Sequence, residues 1–201
     1  MIAIIDYDAG NIKSVENAFR SLGTETVLTR DPELLARADK LVLPGVGVFG
    51  DARKKLSDYG LDAPIRDFIA KGNPFLAICV GLQLLFDESE ESPGVEGLHI
   101  FPGKIKLIPE KDGLKVPQIG WNSLHLEKES RLFKGVEEGS FVYFVHSYYL
   151  ECSAPSLVSA STEYGVHIHA AAERDNVFAT QFHPEKSSSV GLKMLKNFTE
   201  L

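Results

Sequence analysis

Strand-like runs that alternate with helix-like runs occupy the first eighty or so residues, and that alternation restricts the fold to a narrow set. IAIIDY (2–7), TETVLT (24–29), KLVLP (40–44) and PFLAI (74–78) are short and rich in branched or apolar side chains. Between the first two, Ile12, Val15, Ala18, Phe19 and Leu22 recur at helical spacing, and Gly23 stands where a helix stops. Asp31-Pro32 reads as a helix start, with Asp31 as cap and Pro32 in the first turn. A helical stretch is expected from about 49 to 71, with Asp62-Ala63-Pro64 marking a break or a new start, and another over VGLQLLF (80–86). Strands that are apolar throughout are buried on both faces, so this order predicts a parallel sheet covered by helices on both sides.

From residue 104 onward the pattern changes. KIKLIPE (104–110), LKVPQIGW (114–121), SFVYFVHSYYLE (140–151), LVSASTEYG (157–165), VHIHAAAERD (166–175) and NVFATQFHPE (176–185) are strand-like. Turns such as Lys111-Asp112-Gly113 and Asp175-Asn176 join them. They predict antiparallel strands and hairpins added to the parallel sheet. A last amphipathic helix is expected over 190–201, with Leu192, Leu195 and Phe198 on one side. There is no repeat, low-complexity tract or linker. The expectation is one α/β domain over 1–201, with a mostly parallel central sheet flanked by helices.

Several function classes recede on composition. A net charge of −7 argues against a general nucleic-acid binder. No apolar run approaches the roughly 20 residues of a membrane span, and the N-terminus MIAIIDYDAG reads as a first strand instead of a leader. Two cysteines, Cys79 and Cys152, make no disulfide framework, so a reducing cytoplasm fits. Cys152 lies in the polar stretch ECSAPS and reads as an ordinary surface or partly buried thiol.

Cys79 has a different setting. The apolar strand PFLAI runs into Cys79-Val80-Gly81 and then into a helix, which holds a nucleophile at the C-terminal edge of the sheet. Amides at the helix start favour a thiolate and can face an oxyanion. FATQFHPEKS supplies a base: His183 and Glu185 are two apart, so in extended chain they share a side, and a carboxylate beside an imidazole fixes its tautomer. Pro44-Gly45-Val46-Gly47, after the third strand, exposes backbone amides near where a carbonyl on Cys79 would lie. Taken singly, these segments are also consistent with a buried structural cysteine, a solvated His-Glu turn and an ordinary strand–helix turn. His146 is a weaker candidate base than His183. His167 and His169 lack a third ligand nearby, so no metal is expected. Glu88, Glu90 and Glu91 form an acidic cluster expected in a loop.

Together, a Pro-Gly loop, a cysteine turn and a late His-x-Glu resemble the class I (triad) glutamine amidotransferases, over essentially the whole chain. The resemblance implies a flavodoxin-like architecture and no cofactor. It implies that Cys79 attacks the carboxamide of L-glutamine, that His183 acts as base and then acid, and that Glu185 orients His183. Val46 and Val80 would offer oxyanion amides. Gly45, Gly47, Gln83 and Glu91, with the backbone at Ser147 and Tyr148, would hold glutamine. The elbow of the class usually reads Gly-x-Cys-x-Gly; here Ala77 takes the first position, and alanine is small enough that the turn is expected to survive.

Within the class, IIDYDAGNIKSVENAF, PGVGVFGDA, VPQIGWN, YFVHSYY and QFHPEKSS resemble the glutaminase subunits of imidazole glycerol phosphate synthases, of histidine biosynthesis. Relatives serving anthranilate or aminobenzoate synthesis usually read His-Pro-Glu-Ser, whereas Lys186 follows Glu185 here. This resemblance implies a heterodimer with a separate (β/α)8-barrel cyclase subunit. Ammonia would pass through the barrel to a phosphoribosyl intermediate, giving imidazole glycerol phosphate and an aminoimidazole carboxamide ribonucleotide. Asn11, Trp121, Tyr143 and Lys186 would meet the partner. Each also has a plainer reading: Trp121 and Tyr143 as core, Lys186 as a solvated charge, Asn11 as the cap of the first helix. A glutaminase for another acceptor, a catalytically idle binding relative and a cysteine peptidase of related architecture remain open.

Overall fold

The apolar runs of the first half become the centre of the molecule. A computed structural model describes residues 1–111 and 113–201, so Asp112 of the expected Lys111-Asp112-Gly113 turn lies outside the described residues. The chain runs β1 (Ile2–Ile5), α1 (Ile12–Ser21), β2 (Thr26–Thr29), α2 (Pro32–Arg37), β3 (Lys40–Leu43), α3 (Phe49–Asp58), α4 (Asp62–Ala70), β4 (Phe75–Ile78) and α5 (Val80–Leu84). β1 and β4 are buried along their whole length, and β3 everywhere but Lys40. β1 pairs in parallel with β2 and β3, and β3 with β4. Asp31 caps α2 by accepting from the Glu33 amide at 2.9 Å. The break within 49–71 is a new start: α3 ends at Asp58 and α4 begins at Asp62.

The second half runs β5 (Glu88–Ser89), β6 (Gly103–Leu107), β7 (Gln118–Ser123), β8 (His125–Leu126), β9 (Phe141–His146), β10 (Tyr148–Cys152), β11 (Val158–Glu163), β12 (His167–Arg174), β13 (Val177–Thr180) and α6 (Ser188–Thr199). Among the described residues, eleven strands form one sheet in the order β2-β1-β3-β4-β13-β12-β10-β6-β5, with β11 and β8 attached through β12. β13 is the joint: parallel to β4, with Thr180 opposite Ile78, and antiparallel to β12. That pairing carries the chain around His183 to the edge of the sheet where β4 ends at Cys79.

Three expectations need correction. SFVYFVHSYYLE is two strands in different sheets. It breaks at Ser147, where His146 Nδ1 meets the Tyr148 carbonyl at 2.8 Å. Among the described residues β9 pairs with β7 as a separate two-stranded ribbon that sets Trp121 opposite Tyr143. β10 joins the main sheet between β6 and β12. In LKVPQIGW the strand starts only at Gln118, after Pro117, which has no N–H for a ladder. Glu88 lies in the short strand β5, ion-paired with Lys104, instead of in a loop.

α6 buries Met194, Leu195 and Phe198, with Phe198 packed on Phe19 and Phe178, and so closes one face of the parallel half. The ribbon is different. Ile119, Trp121 and Phe141 are 63%, 52% and 58% exposed, which excludes a core role for Trp121.

Candidate active site

Cys79 sits between β4 and α5 at φ 56° and ψ −111°, a backbone conformation that costs a non-glycine residue about 1–3 kcal/mol and clusters at functional sites. Its surroundings hold it there. The Cys79 amide donates to the Thr180 carbonyl at 2.7 Å, and the Gln83 amide to the Cys79 carbonyl at 3.2 Å. Gly81 is required by close approach, since a Cβ there would lie 2.0 Å from the Leu43 carbonyl oxygen. Ala77, fully buried between Leu43 and Ala179, is accommodated in the turn. The helix that follows is only five residues long, and its first amide, Val80 N–H, donates to the Gly45 carbonyl at 3.2 Å. The expected set of free helix-terminal amides is therefore already partly used.

His183 lies three residues past the end of β13, and a 3-10 turn over Pro184–Lys186 follows. The pairing with Glu185 comes from that turn and not from an extended i, i+2 run: His183 Nδ1 lies 2.7 Å from Glu185 Oε1. Both side chains are buried. The turn is tied to β9 by the His183 amide on the Tyr143 carbonyl at 3.0 Å and the Tyr143 amide on Ser187 Oγ at 2.9 Å. Burial opposes a charged imidazole, but the Cys79 sulfur and the Glu185 carboxylate outweigh it and push the His183 pKa up to about 10. The His183 Nε2 is buried without a hydrogen-bond partner inside ordinary limits, yet Cys79 is near enough to act on its charge. Such contacts commonly tighten when substrate arrives.

The Pro44–Gly47 loop faces this pair. The Tyr7 hydroxyl donates to the Pro44 carbonyl at 2.7 Å, and burial first, then the proximity of Cys79, hold Tyr7 well above the ordinary phenol range. Gly45 packs so tightly that a Cβ would lie 2.5 Å from the Tyr7 oxygen and 2.9 Å from the Gly81 nitrogen. With its carbonyl on the Val80 amide, the loop is closed onto one of the two expected oxyanion donors.

A cavity of about 460 Å³ opens over Cys79, lined by Asn11, Val46, Gly47, Cys79, Val80, Gln83, Glu91, Pro117, Val145, His146, Ser147, Tyr148, His183 and Lys186. Most residues singled out in the sequence therefore converge. Gly45 and Glu185 stand behind the lining, next to Val46 and His183, while Trp121 and Tyr143 lie outside on the ribbon, edge to face at 6.1 Å. Lys186 is exposed, with Nζ 5.9 Å from the centre of the Tyr143 ring. Gln83 donates to the Tyr148 carbonyl and to Gln181 Oε1, both at 3.2 Å. Glu91 Oε2 accepts from the Phe49 amide at 2.7 Å and so also caps α3. His146 is buried, with Nδ1 at the Tyr148 carbonyl and Nε2 at Gln118 Oε1, and burial followed by the charge on His183 pushes its pKa down to about 4.

Two features lie beyond what the sequence suggested. Gln181 is fully buried, and its Nε2 donates to Cys79 Sγ at 3.7 Å. Its position two residues before His183, on the same side of an extended chain, was the available signal. Asn11 occupies the N-cap position of α1, at φ 68°, but its side chain caps no helix amide. It donates instead from Nδ2 to Glu185 Oε1 at 3.2 Å, so the cap reading is corrected. Away from the site, the Cys152 thiol is buried and donates to the Pro102 and Ala154 carbonyls, and burial pushes it up. His167 pairs with Glu163 at 2.6 Å. Among the described residues no group of three His, Cys, Asp or Glu side chains could hold a metal ion, and no helix is long and apolar enough to cross a membrane.

A cysteine on a strained strand–helix turn, beside a buried His–Glu pair on a largely parallel sheet, is an arrangement suited to acyl transfer from a carboxamide. The model of the class I glutamine amidotransferases matches residues 3–201, and the chain belongs to that class, an enzyme of the glutaminase type. It is 53% identical over 201 residues to the imidazole glycerol phosphate synthase subunit HisH of Methanothermobacter thermautotrophicus, covering 100% of this chain and 98% of the relative. The same-named protein of Syntrophotalea carbinolica is 48% identical with 100% of both covered. Within the class, the chain's family is therefore that of the imidazole glycerol phosphate synthase glutaminase subunit HisH. The fold agrees with solved structures at low identity. A glutamine amidotransferase matches at TM-score 0.77 and 18% identity, with 100% of this chain and 98% of that one covered. A putative GMP synthase chain of Thermoplasma acidophilum matches at 0.75 and 22%, with 99% and 92% covered.

Proposed function

We propose that Cys79, His183 and Glu185 hydrolyse L-glutamine and that the ammonia released goes to a separate (β/α)8-barrel cyclase, in the cytoplasm, within histidine biosynthesis. Residues 1–201 act as one domain, supported by a main core that runs from Ile2 to Phe198. The observation that carries the reading is the single cavity into which Cys79 and His183 both open, with Glu185 bonded behind the imidazole.

His183, as base, takes the Cys79 thiol proton, the sulfur attacks the carboxamide carbon, and a tetrahedral oxyanion forms. His183 gives its proton to the amide nitrogen, the C–N bond breaks and ammonia leaves a glutamyl thioester. Water, deprotonated by His183, attacks the thioester carbon; the C–S bond breaks, glutamate leaves and the Cys79–His183 pair is restored. Glu185 stabilises the imidazolium throughout. Val46 and Val80 amides serve the oxyanion once the Gly45 carbonyl has left the Val80 N–H. Gly45 and Gly47, Gln83, Glu91 and the Ser147–Tyr148 backbone hold glutamine.

A partner-dependent loop explains why ammonia would not be released wastefully. Asn11, Trp121, Tyr143 and Lys186 would meet the cyclase, and the exposed apolar ribbon supports that surface. Imidazole glycerol phosphate and an aminoimidazole carboxamide ribonucleotide are then the products of the pair. The test is glutamate release from L-glutamine by the chain alone, then with the cyclase plus its nucleotide ligand, with Cys79→Ala as control. Strong, Cys79-dependent stimulation is expected. Activity indifferent to the cyclase would discard the acceptor, and absence of Cys79-dependent hydrolysis under every condition would discard the chemistry.

A further inference from the structure

We infer that Ser14 and Asn11 extend the triad outward as a positioning relay, Ser14–Asn11–Glu185–His183, which fixes the carboxylate that orients the imidazole. The inference rests on the reading of Cys79, His183 and Glu185 as the catalytic set.

The geometry of Glu185 shows the need. Its carboxylate is buried, and both of its donors fall on one oxygen: His183 Nδ1 at 2.7 Å and Asn11 Nδ2 at 3.2 Å on Oε1. Oε2 is buried with no partner. A carboxylate held through one oxygen by a single donor can rotate about its last bond; a second donor from another element removes that freedom. Asn11 supplies it from the far end of the chain, 174 positions away in sequence.

The amide itself must point the right way, and Ser14 decides this. Ser14 Oγ donates to Asn11 Oδ1 at 2.7 Å, so the oxygen end faces the helix and the nitrogen end faces Glu185. The backbone is also specialised. Asn11 lies at φ 68°, a region that asparagine, aspartate and glycine enter more readily than other residues. Because Asn11 also lines the cavity, the relay joins the wall of the site to the buried His183–Glu185 pair.

The test uses the assembled complex with saturating cyclase and its nucleotide ligand. Asn11→Gly keeps the backbone conformation and removes the amide. Asn11→Asp keeps the shape and the acceptor for Ser14 but, when ionised, sets a second carboxylate against Glu185 in place of a donor. Ser14→Ala leaves the amide free to turn. A charge-assisted hydrogen bond of this kind leads to an expected fall in kcat of about tenfold for both Asn11 variants, and about threefold for Ser14→Ala. KM for glutamine should stay within about twofold, because the relay acts through Glu185 and not on substrate. The alkaline limb of the pH profile, set by His183, should move to lower pH in the Asn11 variants, since the imidazolium loses part of its support. An unchanged kcat in both Asn11 variants overturns the relay, as does a loss confined to KM. Full activity in Asn11→Asp with loss in Asn11→Gly would also overturn it, by pointing to shape alone. If the parent complex shows no activity that Cys79→Ala abolishes, it is the triad reading that fails and not the relay.

Discussion

The Cys79–His183 side of the cavity and the Pro44–Gly47 side are built in opposite ways. On the first, the strained cysteine is clamped by the Thr180 carbonyl and the His183 turn by β9 and Ser187, with the charged groups buried. On the second, the loop spends its Gly45 carbonyl on the Val80 amide and is tied down through Tyr7. One wall is held in place by hydrogen bonds to neighbouring elements around a buried His–Glu pair; the other is closed upon itself. The contrast indicates where regulation disturbs least. Moving a loop exchanges a few neutral hydrogen bonds, while moving the Cys79 and His183 turns would disturb a buried His–Glu pair. The largest expected effects should therefore come from the assembled wall and be independent of the partner, and smaller, partner-dependent effects from the closed one.

Glu185→Gln tests the assembled wall most severely. It keeps the size of the side chain but removes the charge that supports imidazolium, and kcat is expected to fall about a thousandfold. The pH dependence of stability gives an independent reading. His183 is raised in the folded state from an unfolded value near 6.5 up to about 10. A raised group contributes its full stability below the unfolded pKa and loses that contribution as pH climbs through the folded value. Urea titrations from about pH 7 to pH 10 should therefore show the advantage of the parent over Glu185→Gln shrinking with rising pH. A constant advantage would mean that the two walls do not differ in charge as argued.

Trp121→Ala addresses the outer surface. At 52% exposure the side chain contributes little to the fold, so a change in stability within about 0.5 kcal/mol is expected. On the proposed docking of the ribbon, its loss should weaken cyclase binding about thirtyfold, roughly 2 kcal/mol. Calorimetric titration with the cyclase checks this. Undiminished affinity would move the docking surface off the ribbon.

The assembled wall was also the more legible one. Unbroken apolar runs, the Asp31-Pro32 start and Gly23 are local signals, and they led to the parallel half and to Cys79 at the end of β4. The His–Glu pair was legible as composition, though the turn at Pro184 that brings its atoms together was not. The split at Ser147 left no local mark, because residues on both sides of it are good strand formers and only long-range pairing sends β9 and β10 to different sheets. Gln181 on the sulfur, the Gly45 carbonyl on Val80 and the Asn11 tie to Glu185 are contacts between segments distant in sequence. Side-chain periodicity within one element carries no record of them.

Tyr7→Phe asks whether the closed wall is held by the hydrogen bond to Pro44. Removing the hydroxyl should cost about 1 kcal/mol in stability and raise the cyclase-free rate of glutamate release several-fold, with the partner-stimulated rate nearly unchanged. A cyclase-free rate equal to that of the parent would mean that Tyr7 only supports packing.

The smallest effect concerns the strain in the assembled wall itself. Cys79→Ala and Cys79→Gly both remove the proposed nucleophile, so neither is expected to retain activity, but they differ in what the backbone must bear. At φ 56° and ψ −111° an alanine keeps the steric cost of a Cβ, whereas glycine is at ease. Cys79→Gly should therefore be the more stable of the two by about 1 kcal/mol, against the usual order in which glycine is the weaker residue. Thermal unfolding of the two inactive variants side by side measures this directly. If glycine proves equal or less stable, the turn is not under strain, and the rigidity attributed to the nucleophile's wall must come from its hydrogen bonds alone.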